Sequence, residues 1–138
     1  MKKKEDWIDI FFEFVRENKD KPFEWGKWDC CIFANACIKA MTGQNLIPSK
    51  LKWKNEETAM KAIKDYGKTL KGAVTKACKA KKLQEVKPAF ITTGDLVVFK
   101  EESELVGISD GFNILAPSDD GIEFKSHDLI VKGWRIDG

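Results

Sequence analysis

The apolar residues of this chain change their period once, near Pro88, and that change limits the folds open to it. Before Pro88 they recur every three or four residues, the spacing of one face of an α-helix. Trp7, Ile8, Phe11, Phe12, Phe14 and Val15 set this rhythm over residues 5–18. The polar run Lys19-Asp20-Lys21-Pro22 then breaks it. A second helix is predicted over Cys30–Met41, with Asp29 as its N-cap and Gly43 as its stop. A third spans Asn55–Tyr66, with Asn55 as cap, Glu56 and Glu57 in the first turn and Gly67 after the end. A fourth, over 70–82, contains Gly72 and Val74, which lower its propensity. Its lysines, Lys71, Lys76, Lys79, Lys81 and Lys82, read as a solvated face.

After Pro88 the apolar runs are short and separated by turns. Leu96–Phe99, Leu105–Ile108, Phe112–Leu115, Ile122–Phe124 and Leu129–Ile136 carry strand signals. Lys100–Glu104 and Ser118–Gly121 read as hairpin turns, so the last third is an antiparallel meander. Helices first and strands afterwards predict an α+β fold. With 138 residues, 43% of them hydrophobic, the chain is expected to form a single domain over 1–138.

Charge narrows the partners. Twenty-four Lys plus Arg against 22 Asp plus Glu leave a net charge of +2, too balanced for an electrostatic hold on nucleic acid or anionic lipid. The Met1-Lys-Lys-Lys start resembles the basic end of an export signal, but Glu5, Asp6, Asp9 and Glu13 interrupt the apolar run that would follow. No stretch approaches the roughly 18 apolar residues of a membrane span, and synthesis in a cytosol is expected. Four cysteines without a CxxC pair and one histidine do not make a recognisable metal site. No metal, cofactor or disulfide is expected.

Cys30 is the first candidate for chemistry. It falls in the first turn of a helix, where unpaired N–H groups and the positive end of the helix dipole favour a thiolate. Asp29 beside it opposes this unless its carboxylate turns away as a cap. The alternative is a small buried hydrophobe, a frequent role of cysteine. Cys31, Cys37 and Cys78 read as packing. A nucleophilic cysteine needs a base, and usually a third group that orients the base. The one imidazole, His127, lies in the polar turn Phe124-Lys-Ser-His-Asp-Leu129, beside Asp128. It is the second candidate, with an exposed loop histidine as the alternative. Trp25 and Trp28 either stack on a ligand near Cys30 or lock their loop onto the sheet. Gly26 and Gly107 are expected to mark close backbone approach.

Trp25-Gly26-x-Trp28-Asp29-Cys30 opening an alanine-rich helix, followed by Gly94-Asp95-Leu-Val-Val-Phe99 and Val106-Gly107-Ile108, resembles the NlpC-type cysteine peptidases of the papain superfamily. Phe23-x-Trp-Gly-x-Trp-Asp-Cys30, Met41-Thr-Gly43, Gly94-Asp-Leu-Val97 and Gly133-Trp-Arg-Ile136 are also similar to a phage family from tail-module gene clusters. The resemblance covers most of residues 20–136. It implies a papain-like NlpC-type fold, with N-terminal helices on a C-terminal antiparallel sheet or half-barrel, and a cleft at Cys30 bordered by Trp25, Trp28 and Asp29. In such enzymes, which cleave peptide links of peptidoglycan, Cys30 would be the nucleophile. The base would stand just before Val106-Gly107, where this chain has Leu105, and the third polar position falls near Leu115. Leucine cannot take a proton.

The resemblance therefore implies a virion tail-tip or baseplate component, made in the host bacterial cytoplasm and docked on tail-tip or hub proteins, with its peptidase site degenerate. Two other readings stand beside it. One is an active peptidoglycan hydrolase using Cys30, with His127 or a partner's group as base. The other is a cytosolic domain that binds a small ligand in a vestigial cleft.

Overall fold

The computed structural model describes residues 1–137. Four helices, α1 (Trp7–Asn18), α2 (Cys30–Thr42), α3 (Glu56–Gly67) and α4 (Leu70–Ala80), precede six strands. These are β1 (Gln84–Val86), β2 (Leu96–Lys100), β3 (Glu104–Ser109), β4 (Asn113–Ser118), β5 (Gly121–Ser126) and β6 (Ile130–Arg135). They form one sheet in the order β1-β6-β2-β3-β4-β5, with every neighbouring pair antiparallel. The α+β layout follows the change of period at Pro88.

Local chemistry explains the helix ends. Asn55 and Thr58 exchange bonds as a capping box at α3, and Thr69 Oγ1 accepts from the Gly72 N–H at α4. Gly43 ends α2 at φ +82°, with its N–H bonded to the Lys39 carbonyl. Gly67 is the last residue of α3, not the first beyond it, because Lys68 supplies the positive φ that stops the helix.

The helices cover one face of the sheet. Phe11, Phe33, Cys37, Ile38 and Met41 pack there against Leu96, Val98, Val106, Ile108 and Trp134, all nearly inaccessible to water. A second core lies on the other face, made of Val97, Phe99, Ile114, Ala116 and Ile130 with Ile91 and no helical residue. Ile91, from the segment before β2, and the partly buried Val86, Leu105 and Leu129 pack against this second face. The register shift of β2 against β6 between Val98 and Phe99 supplies a bend. All four apolar residues of β2 are consequently buried, where a sheet covered on one face would bury every second one.

Two strand boundaries differ from expectation for visible reasons. Residues 127–129 wind into a short 3-10 turn, with the Ser126 hydroxyl accepting from the Asp128 N–H, so the last strand begins at Ile130. β1 carries no apolar pattern and forms only as the sheet's edge beside β6.

Candidate active site around Cys30

The first turn of α2 is fixed by Asp29, which is 2% exposed. Its Oδ1 accepts from the Ile32 N–H at 3.0 Å, and its Oδ2 accepts from the Gly26 N–H at 3.1 Å and from Trp53 Nε1 at 2.8 Å. The carboxylate is thus spent on capping and on pinning the 51–55 loop, and is not free for chemistry. Gly26 makes the approach of that loop possible. It sits at φ +79°, and a Cβ there would lie 2.5 Å from the Lys54 carbonyl carbon.

Cys30 follows directly and is 8% exposed. Its thiol is held below its ordinary value, first by the Cys31 thiol, which donates to the sulfur. Burial opposes this. The Val106 main-chain N–H then helps, the Asp29 charge opposes, and the Cys31 main-chain N–H helps again. Cys31 moves the other way, pushed up by its donation to Cys30 and by burial. The Val106 bond and the cleft shared with Glu104 and Leu105 place this end of β3, which β4 does not pair, beside Cys30.

A cleft of about 150 Å³ opens there, bordered by Trp25, Cys30, Cys31, Trp53, Glu104 and Leu105. Leu105 is therefore in the Cys30 cleft, where a general base would have to stand. Leu115, the other position implied by resemblance, is fully buried core.

The structure does not bring His127 to Cys30. Its Nε2 lies 2.9 Å from the hydroxyl of Ser109, and Ser109 lies three residues beyond Val106, about 10 Å along the strand. Ser109 is itself fully buried and accepts from the Gly111 N–H. The imidazole therefore closes a buried polar contact at the far end of β3. Of the three expected cleft residues, Trp25 and Asp29 border it, but Trp28 does not. Trp28 is 6% exposed and packs edge-on to Phe33 and against Phe14, with Lys21 Nζ over its ring. Its Nε1 is buried without a hydrogen-bond partner. Trp28 is a locking residue, and Trp25, set edge-on to Phe23, keeps a border on the cleft.

Two features have no local signal in the sequence. Trp53 reaches Asp29 across 24 positions. Arg135 donates through Nε and one terminal nitrogen to both oxygens of Asp95, at 3.0 and 2.9 Å, and also to the Phe90 carbonyl. Asp95 is fully buried and takes a further bond from the Thr92 N–H. The Gly-Asp and Trp-Arg motifs singled out in the sequence are thus the two halves of one ion pair, joined by the β2–β6 ladder.

A family described as a domain of unknown function, DUF6950, matches residues 2–136. The chain belongs to the DUF6950 family. No curated protein matches it. In this DUF6950 chain no described helix is long and apolar enough to cross a membrane, and no group of three or more potential metal ligands occurs among the described residues.

Proposed function

We propose that this DUF6950 protein is a phage tail-tip or baseplate component built on a papain-like, NlpC-type scaffold, whose peptidase site is degenerate. The observation that carries the loss of activity is the pairing of Cys30 with Leu105 in one cleft while the only imidazole is bonded to Ser109. Amide cleavage by a thiol requires a group that protonates the departing amine, and an aliphatic side chain cannot do so. The tail assignment rests on the ordered resemblance from Phe23 to Ile136. The four helices preceding one antiparallel sheet, with Cys30 at a helix start against a strand, are compatible with the scaffold. In this reading the chain docks on tail-tip or hub proteins, and the cleft is retained as part of the frame.

The lowered thiol of Cys30 favours a second reading, a peptidoglycan hydrolase whose base comes from a partner protein. One experiment separates the two. Purified peptidoglycan is incubated with wild type, Cys30→Ala and Leu105→His, each alone and with tail particles, and released fragments are identified by mass spectrometry. The degenerate reading expects no fragments from wild type in either setting. Fragments from wild type but not from Cys30→Ala would overturn it, and their dependence on tail particles would locate the missing base in a partner. Antibody detection of the chain in purified virions tests the tail assignment separately, and its absence from particles would leave a cytosolic ligand-binding domain.

A further inference from the structure

The balance of the whole chain, +2, conceals a polarity. Residues 50–82, which run through the 51–55 loop, α3 and α4, hold eleven lysines against Glu56, Glu57 and Asp65. That segment carries +8, so the remaining residues together carry −6. Ten of the eleven lysines are exposed and Lys81 is half-buried. A field of this sign draws in a negatively charged partner. What the surface offers beyond charge decides which kind.

Two connected cavities lie on this side of the molecule. A groove of about 840 Å³ follows the loop after α2 to the end of α4. Its charged walls are Lys52 and Lys81, and Gln44 and Ser49 add a carboxamide and a hydroxyl. Neither ammonium group has an ion pair or hydrogen bond among the described residues. The groove shares Asn35, Leu46, Ile47, Pro48, Leu51 and Trp53 with a half-open chamber of about 70 Å³ between α2, α3, α4 and the sheet. Asn35 is committed to the loop, since its Oδ1 accepts from the Leu46 and Ile47 N–H groups and its Nδ2 donates to Asn45. Ala62, Ala73, Val74, Ala77 and Leu96 make the far walls of the chamber a place for hydrocarbon.

An apolar cavity of about 150 Å³ takes a six-carbon ring, so one near half that size takes about three or four carbons, the side chain of Val, Leu or Ile. A nucleic acid would answer the lysines and leave the chamber empty. A peptide answers both. We propose that the groove is a docking site for an acidic peptide segment of a partner protein, with carboxylates at Lys52 and Lys81 and one aliphatic side chain in the chamber. The buried anchor supplies most of the affinity, and the field speeds and orients the approach. The site holds whether or not the chain belongs to a virion, so absence from particles would sink the tail assignment and leave this proposal standing.

The test is calorimetric titration of the full chain with acetylated Asp-Glu-X-Glu-Asp peptides in which X is Ala, Val, Leu, Ile or Phe. One Leu or Ile peptide should bind per chain, about tenfold tighter than the Ala and Phe peptides. Its Asn-Gln-Leu-Gln-Asn counterpart should bind at least tenfold more weakly, and added salt should weaken the acidic peptide. Lys52→Glu combined with Lys81→Glu should weaken the Leu peptide at least tenfold, whereas Lys64→Glu, on the exposed face of α3, should change it less than about threefold. Ala73→Leu, which fills the chamber, should abolish the preference for Leu over Ala and keep the salt dependence. Its urea midpoint reports whether it is folded, and the peptide series decides the same point without it. No saturable binding, no preference for Leu over Ala, or equal damage from Lys64→Glu would each overturn the proposal. So would duplex DNA binding as tightly as the Leu peptide, which would reduce the face to a polyanion patch. Dimerisation of wild type that is lost in the groove variant would make the occupant a second copy, and would overturn the proposal in favour of self-association.

Discussion

The two ends of β3 use buried polar groups differently. At the Ser109 end each is answered. Ser109 meets His127 and the Gly111 N–H, and Asp95 meets Arg135 and the Thr92 N–H. At the Glu104 end the cleft holds two thiols, two tryptophans and Leu105, and its buried carboxylate, Asp29, serves the fold. Beside Cys30 the polar bonds thus fix the helix start and the 51–55 loop, and leave Leu105 as an apolar wall of the cleft. A cleft of this kind can lose its base at little cost in stability, whereas at the far end the buried Asp95 cannot lose Arg135.

The sharpest way to break this comparison is to remove Arg135. Arg135→Ala strands the fully buried Asp95 carboxylate, and truncating one partner of such a pair costs roughly 3 kcal/mol. Urea unfolding should show a lower midpoint with an unchanged slope. Below the unfolding transition the alkylation rate of Cys30 should stay as in wild type. A loss under about 1 kcal/mol would mean that the pair behaves as a surface contact and that the contrast between the two ends is false.

Asp29→Ala comes next, at about 2 kcal/mol, because it removes an N-cap and leaves the Gly26 N–H and Trp53 Nε1 without their acceptor. Its second effect runs through the thiol. Asp29 raises the Cys30 value, so removing the negative charge should lower it further and speed alkylation at acidic pH. In wild type, iodoacetamide labelling of Cys30 should already rise with pH through an inflection below the ordinary 9.0, since the thiolate is the reacting form. Cys78 is pushed up to about 12 by burial and should label only on unfolding. An inflection at or above 9.0 would remove the electrostatic case for Cys30.

What the sequence disclosed, and what it withheld, follows the same division. The α2 cap was legible because Asp29 and the Ile32 N–H are three residues apart. Asn55 was legible as the α3 cap for the same reason. The strands of the last third announced themselves through apolar runs, but β1 did not, because an edge strand of three polar-flanked residues takes its order from its neighbour. The contacts that define the site are long-range. Trp53 finds Asp29 only because Gly26 lets the 51–55 segment approach, and Asp95 finds Arg135 only through the register of β2 on β6. The ambiguity of the tryptophans was also genuine in sequence terms. Trp25 and Trp28 differ by one helical turn of loop, and only packing against Phe14 and Phe33 assigns Trp28 to the core.

The smallest effect carries the most information about His127. If the imidazole serves only the Ser109 end, His127→Ala should cost about 1 kcal/mol, the net value of one hydrogen bond, since Ser109 keeps its bond from the Gly111 N–H. The alkylation profile of Cys30 should not move at all, because about 10 Å of strand separates the two groups. Ser109→Ala removes the other half of the contact, and the double variant should lose less than the sum of the singles, as expected for residues that share one interaction. A shift of the Cys30 inflection in His127→Ala would mean that the two ends of β3 communicate electrostatically. The histidine would then have to be returned to the list of groups acting on the thiol.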